Sequence, residues 1–385
     1  MSGLDVAAPQ TSRDALRLTF ITTLRHNVGD DFVREGLHHL LEARFGPLAV
    51  ESVHKHAPVS VRPGFEWVRR RELSAVLDAV PLGWTRDRLL ESDLVVQSGA
   101  PVYWSLPGRV RCSDNEWYAP LIQRRWSRVR ERVPLLNLAA GACQPYHSRG
   151  DELLADARVV AYARALFERS SLTTVRDRLS ERFLHALGLS AERIPCASLF
   201  ARDRLGIAPR TPDCVALNVM PLGGHYDLAQ GIDGRRWLRE FARFYARARR
   251  RARCVFVCHD RRELRLARAI DADAEVFWSR SHADYLRFYA HAAAGVLNRV
   301  HGAFALASFG RPAFVVGSDT RSHMVEELGL RHAFVGDVDA VRLLRELDAQ
   351  LDAAAAHAHA LEGVRARARA AYARVLAPVG PEARA

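Results

Sequence analysis

The sequence predicts an α/β protein of two doubly wound, Rossmann-like domains with a cleft between them and a C-terminal helix packing back. Three observations lead there. Short apolar runs of strand length alternate with amphipathic runs of helix length, the pattern of parallel sheets covered on both faces. That alternation breaks once, in the irregular polar stretch from Ser190 to Arg210, and restarts at Thr211-Pro212-Asp213. At 385 residues the chain also exceeds what one hydrophobic core usually holds. The expected divisions are an N-terminal domain over 1–210, a second domain over 211–345 and a helical segment over 346–385.

In chain order, residues 1–14 read as a loose leader and Leu16 to Thr23 as the first strand. The polar turn that follows contains Asn27, Gly29 and Asp30 and leads into a helix over Phe32 to Arg44. A strand, a glycine turn and an acidic helix start fit a ligand loop as well as a plain capped turn. A single glycine there does not make a dinucleotide loop. Leu48 to Val53 is a strand, and Arg69–Val80 and Thr85–Glu91 read as helices. Asp93 to Ser98 is a buried strand ending in Gly99-Ala100-Pro101-Val102-Tyr103-Trp104, whose aromatics cover the core or face a sugar. Leu135–Ala140 and Leu172–Val175 are further strands, with helices over Leu154–Arg169 and Arg176–Leu187.

In the second half, strands are expected at Cys214–Met220, Cys254–Cys258, Ala274–Trp278, Gly295–Leu297 and Ala313–Gly317. Helices near 235–249, 261–270, 281–292, 302–309 and 322–328 lie between and after them, and helix continues from about Val338 to Leu376. Two such domains leave strand carboxyl ends from both facing one cleft, the general shape of GT-B glycosyltransferases.

The formal net charge is +12, carried almost wholly by arginine, since Lys55 is the single lysine. Such a balance attracts anionic partners. No recognised nucleic-acid motif accompanies it, so nucleic acid is not the expected partner. Six cysteines are scattered through strand-like runs; Cys254 and Cys258 beside His259 form a strand pattern rather than a zinc knuckle, and no metal is expected. No apolar run reaches transmembrane length and the N-terminus carries no signal pattern, so a cytoplasmic protein is expected.

The chemistry is expected around Ala294 to Arg321. Asn298, Arg299 and His301 sit where a strand hands over to a helix expected to open at Gly302, and Asp319-Thr320-Arg321 follows the next strand. Strand carboxyl ends are where open α/β sheets bind ligands, and a helix N-terminus there attracts an anion. Arginine adds a fork for phosphate or carboxylate, and histidine moves protons near neutral pH.

Four stretches, in order, resemble the polysaccharide pyruvyl transferase family. They are N-V-G-D at Asn27–Asp30; V-V-Q-S-G at Val95–Gly99; T-V-R-D-R-L-S at Thr174–Ser180 with L-G and P-C-A after it; and N-R-V-H-G-A-F-A-L-A-S-F-G-R-P at Asn298–Pro312 with D-T-R at Asp319–Arg321. Ser98-Gly99 stands where the family usually has Gly-Gly. The resemblance implies a GT-B-like enzyme that moves the pyruvyl group of phosphoenolpyruvate onto two sugar hydroxyls as a ketal, releasing phosphate.

On that reading Arg176, Arg299 and Arg321 bind phosphoenolpyruvate, matching its two anionic groups with guanidinium forks. His301, held as imidazolium, protonates the methylene carbon. Asn27, Gly29, Asp30 and Gly99 face the acceptor, a sugar or polysaccharide, free or lipid-linked at the membrane surface. His259 and Arg280 end strands and are secondary candidates. No cofactor beyond phosphoenolpyruvate as co-substrate is implied. The alternatives are a GT-B glycosyltransferase using a nucleotide sugar and a non-catalytic protein that binds acidic glycans.

Overall fold

The computed structural model describes residues 15–24, 27–57, 60–61, 73, 76, 86–89, 91–106, 111–115, 133–224, 226 and 228–380. The expected leader over 1–14, and all of the helix expected over 69–80 except Leu73 and Val76, lie outside them.

The first sheet holds β1 (Leu16–Thr22), β2 (Leu48–His54), β3 (Leu94–Ser98), β4 (Pro101–Tyr103), β5 (Leu135–Ala142), β6 (Leu172–Val175) and β7 (Glu192–Arg193). Its order is β2-β1-β3-β5-β6-β7, with β4 beside β5, and every pairing is parallel. The second holds β8 (Cys214–Leu217), β9 (Cys254–Val257), β10 (Val276–Phe277), β11 (Ala292–Leu297), β12 (Ala313–Gly317) and β13 (His332–Phe334), in the parallel order β10-β9-β8-β11-β12-β13. In each, strand order reverses once, at β1/β3 and at β8/β11. Those reversals open the crevices in which doubly wound sheets hold ligands.

Three helices fix the relation of the sheets. α1 (Val28–Phe45) is capped by Asn27, whose Oδ1 accepts from the Gly29 N–H at 3.1 Å. Asp30 and Asp31 therefore fall in its first turn, where carboxylates suit the helix dipole. Gly36 lets the 3₁₀ turn Ala197–Phe200 close on α1, since a Cβ there would lie 1.7 Å from the Ala197 carbonyl oxygen. Further on, a nine-residue helix, Val300–Ser308, is buried along its whole length. It shares one hydrophobic cluster with Phe32, Leu37 and Leu41 of α1 and with Leu361, Ala368 and Tyr372 of the last helix, Ala354–Leu376. That last helix is fastened to the first half by Arg365, bidentate on Asp203 at 2.9 and 2.7 Å, and by Arg44, which donates to the Leu376, Ala377 and Val379 carbonyls.

A strap also crosses between the sheets. Beyond β5, Gln144 exchanges hydrogen bonds with Thr320, and Pro145 bridges to Asp319. This seats the turn carrying Asp319 and Arg321 against the first half.

Two expectations need correction. Arg86–Asp87 forms an antiparallel bridge with Ser60–Val61, so Thr85–Glu91 is not a helix over its described residues. A run that short carries too few turns for periodicity to separate helix from strand. The Val300–Ser308 helix opens at Val300, not Gly302, which places His301 inside the first turn.

Candidate active site

The switch points of the two sheets face each other across an open cavity. The first half contributes Asn27 and Gly29. Met220, Gly223, Gly224, His259, Asn298, Arg299, Val300, His301, Asp319, Arg321 and Ser322 line it from the second half. We number the helices after α1 that build the site α2 (Arg178–Ala186), α3 (Arg261–Ile270), α4 (His282–Tyr289) and α5 (Val300–Ser308).

Asn298 braces the far wall, accepting from the Met220 N–H at 2.7 Å and donating to the Val316 carbonyl at 2.6 Å. This joins the ends of β8, β11 and β12. Arg299 occupies the N-cap of α5 without a side-chain capping bond; the Gly302 N–H is taken by the Arg299 carbonyl at 3.0 Å, which leaves the Val300 and His301 N–H groups of the first turn for an anion.

His301 is 7% exposed, and its Nε2 accepts from Arg176 Nη1 at 3.3 Å. A guanidinium has no lone pair to offer, so Nε2 carries the imidazole's lone pair. Burial, then the charges of Arg176 and Arg321, hold His301 well below the ordinary histidine pKa. That environment favours the neutral imidazole, so an imidazolium at His301 needs a nearby anion to offset the arginines. Gly29 makes the close approach from α1, since a Cβ there would stand 2.4 Å from His301 Nδ1.

Arg176 lies behind His301 rather than in the cavity. It is completely buried; Nη1 also donates to the Gly99 carbonyl at 2.7 Å, while Nε and Nη2 have no partner. Among the described residues it makes no ion pair. A buried cation left uncompensated is costly, and a nearby anion relieves it. Gly141 leaves it room, since a Cβ there would sit 2.6 Å from Arg176 Nε.

The other two arginines line the cavity and are already paired. Arg299 Nε donates to Glu263 Oε1 at 2.6 Å, and Nη2 reaches Asp260 at 3.2 Å. Arg321 holds Asp319 through two parallel bonds of 2.8 and 2.7 Å and lies over the Tyr226 ring. The three arginines, far apart in sequence, all press their charge on His301.

Several expected contacts fall elsewhere. Gly99 is buried beneath Val33, where a Cβ would meet Cγ1 at 2.2 Å, and its carbonyl positions Arg176; it offers no surface to an acceptor. Asp30 flanks the cavity without lining it, bonded by Asn27 Nδ2 at 3.3 Å, and burial raises its pKa against the pull of Arg176. Arg280 is exposed and away from the cavity, because β10 ends at Phe277 and the chain has turned outward by then. Gly302 leaves room for the Tyr289 hydroxyl, 2.6 Å from where a Cβ would stand. Tyr103 belongs to the core, packed on Phe183.

Sequence reasoning missed the loop from Met220 to Gly224. Its Gly-Gly pair was the available signal: a Cβ on Gly224 would lie 2.1 Å from Ser318 Oγ, and Gly223 has φ of +69°.

Comparison with solved structures shows the same architecture. The S. aureus protein MnaA in its UDP complex matches with a TM-score of 0.51 at 10% identity, over 90% of this chain and 90% of that one. UDP-GlcNAc 2-epimerase from Neisseria meningitidis, bound to UDP-GlcNAc, matches at 0.50 and 8% identity, over 94% and 100%. At such identities the likeness concerns the fold, which is GT-B. No curated protein matches the sequence. The model of a transferase family, polysaccharide pyruvyl transferase, matches residues 27–320. With the match covering most of the chain, this protein belongs to the polysaccharide pyruvyl transferase family.

Proposed function

We propose that the cavity takes phosphoenolpyruvate and transfers its pyruvyl group to two hydroxyls of a sugar acceptor as a ketal. One observation carries the reading: a neutral, buried His301 at the uncapped start of a helix, with Arg176, Arg299 and Arg321 gathered around it. Phosphate meets free first-turn N–H groups of α5, and Arg299 and Arg321, though paired, bring guanidinium charge to phosphate and carboxylate.

The arriving negative charge offsets Arg176 and Arg321, the cations that keep His301 deprotonated. His301 then takes up a proton and delivers it to the methylene carbon, making the adjacent carbon electrophilic. One hydroxyl adds there, the C–O bond to phosphate breaks with its electron pair, and the second hydroxyl closes the ketal. Of the two hydroxyl protons, one leaves with phosphate and one returns to His301. Asn27, Gly29 and Asp30 stand on the side from which the acceptor enters.

We infer a cytoplasmic reaction: buried cysteines that form no disulfide suit a reducing compartment, and no described helix is long and apolar enough to cross a membrane. The test is incubation of the pure protein with phosphoenolpyruvate and a panel of glycans. Phosphate release matched by a pyruvate ketal on the glycan supports the reading. Consumption of a nucleotide sugar instead supports the glycosyltransferase alternative, and glycan binding with neither reaction supports the non-catalytic one.

A further inference from the structure

We infer that His259 is the base that deprotonates the acceptor hydroxyl, working opposite His301 as the acid. The inference rests on the pyruvyl-transfer reading above. His259 lines the same cavity as His301, two residues beyond β9, with β8 between their parent strands. Its backbone N–H donates to Glu263 Oε2 at 2.6 Å, and its ring packs edge-on against Tyr285. Nε2 lies 3.2 Å from the Tyr289 hydroxyl, while Nδ1 is buried and has no hydrogen-bond partner. A buried imidazole nitrogen without a partner is an expensive thing to keep unless a ligand group comes to it.

The carboxylates at this cavity are committed. Glu263 receives Arg299, the His259 N–H and Asn218 Nδ2 at 2.9 Å. Asp260 caps α3 and pairs with Arg299. Asp319 is taken by Arg321 through both oxygens. Asp30 is not part of the lining. Burial, with the charge of Arg299, keeps His259 neutral, so a nitrogen lone pair is available to take a proton.

The tautomer follows from Tyr289. When its hydroxyl oxygen accepts the Nε2 proton, Nδ1 carries the lone pair. Gly302 makes this contact possible, because a side chain there would displace the Tyr289 hydroxyl. The stretch Arg299-Val300-His301-Gly302 thus builds both halves of the chemistry. Arg299 holds His259 neutral, His301 supplies the acid, and Gly302 admits the tyrosine that orients the base. In the reaction Nδ1 takes the proton of the first hydroxyl as its oxygen bonds to the electrophilic carbon. It then passes that proton to the departing phosphate, and the second hydroxyl's proton restores His301.

The experiment uses the full chain with phosphoenolpyruvate and an acceptor glycan, comparing H259A, H259Q, Y289F and D30N with wild type. H259A and H259Q should bind phosphoenolpyruvate as wild type does and turn over roughly two to four decades more slowly. Added imidazole should restore part of the H259A rate, a rescue that a merely structural histidine would not give. Y289F, which keeps the ring and loses the hydroxyl, should show a smaller loss of turnover at unchanged phosphoenolpyruvate affinity. Wild-type turnover in folded H259A or H259Q overturns the proposal, as does a large loss in D30N rescued by added carboxylate. If wild type is inert toward phosphoenolpyruvate with every acceptor, the transfer reading fails and takes this one with it. An active wild type beside an equally active H259A removes this one alone.

Discussion

Arg176 Nη1 lies 3.3 Å from His301 Nε2, and the two residues come from different sheets. Arg176 directly follows β6 of the first, and His301 follows β11 of the second. The hydrogen bond thus joins the halves of the molecule at the site itself. After burial, the charge of Arg176 is the next influence that lowers the pKa of the residue proposed as the acid.

His301→Ala and His301→Gln should fold and bind phosphoenolpyruvate, with turnover lower by roughly two to four decades. Melting temperature, ligand affinity and turnover measured on the same preparations check this. Near-normal turnover in a well-folded variant would remove His301 as the acid.

Arg176→Met should separate function from stability. The side chain is fully buried without an ion pair among the described residues, so an apolar replacement is expected to leave the melting temperature unchanged or higher. Phosphoenolpyruvate affinity should drop by less than the roughly one to two decades of a direct charge-assisted contact, because Arg176 stands behind His301 and acts on the anion through the field. The His301 pKa should rise once this cation is gone, which an NMR titration of the imidazole can follow. A melting temperature several degrees lower with affinity intact would make Arg176 a structural residue instead.

Gly29→Ala tests the approach of α1. The added methyl would stand 2.4 Å from His301 Nδ1 and 3.0 Å from its Cβ, so the imidazole has to move. Turnover should fall on the order of a hundredfold, the scale of loss when a reacting group is displaced by about 1 Å. Overpacking of this kind costs about 1–3 kcal/mol, so calorimetry should still find a folded protein. Unaltered kinetics would mean that the position of His301 is not critical.

Stability should weaken in mild acid. Burial holds His259 and His301 well below the ordinary histidine value and pushes His323 down to about 4. In the unfolded chain each titrates near pH 6.5, so below about that pH the unfolded state binds more protons than the fold. The stability these neutral histidines contribute is therefore full above about pH 6.5 and is lost as pH falls toward their folded values. His323 faces Tyr146 and stacks on His332, with Glu326, Asp319 and His147 also near, and its Nε2 has no hydrogen-bond partner. His323→Asn should make the decline between about pH 6.5 and pH 4 shallower, read from urea midpoints across that range. An unchanged slope would exclude His323 as a contributor.

What the sequence determined by itself is local. The periodicity of its apolar runs specified parallel strands alternating with helices, because a buried strand and an amphipathic helix each repeat over a few residues. The same local logic put Asn27 and His301 at strand-to-helix turns, and both line the cavity. Tertiary structure decided what those residues meet. Arg299 lies between Asp260 and Glu263, which are 39 and 36 positions away in sequence. Gly99 turns from an acceptor contact into the carbonyl that fixes Arg176, and Gly302 leaves the space that Tyr289 fills. His301 is neutral although a histidine at an exposed helix start would titrate near its ordinary value, because desolvation and the field of arginines from distant segments depend on where the whole chain places them. No repeat of a few residues encodes that placement.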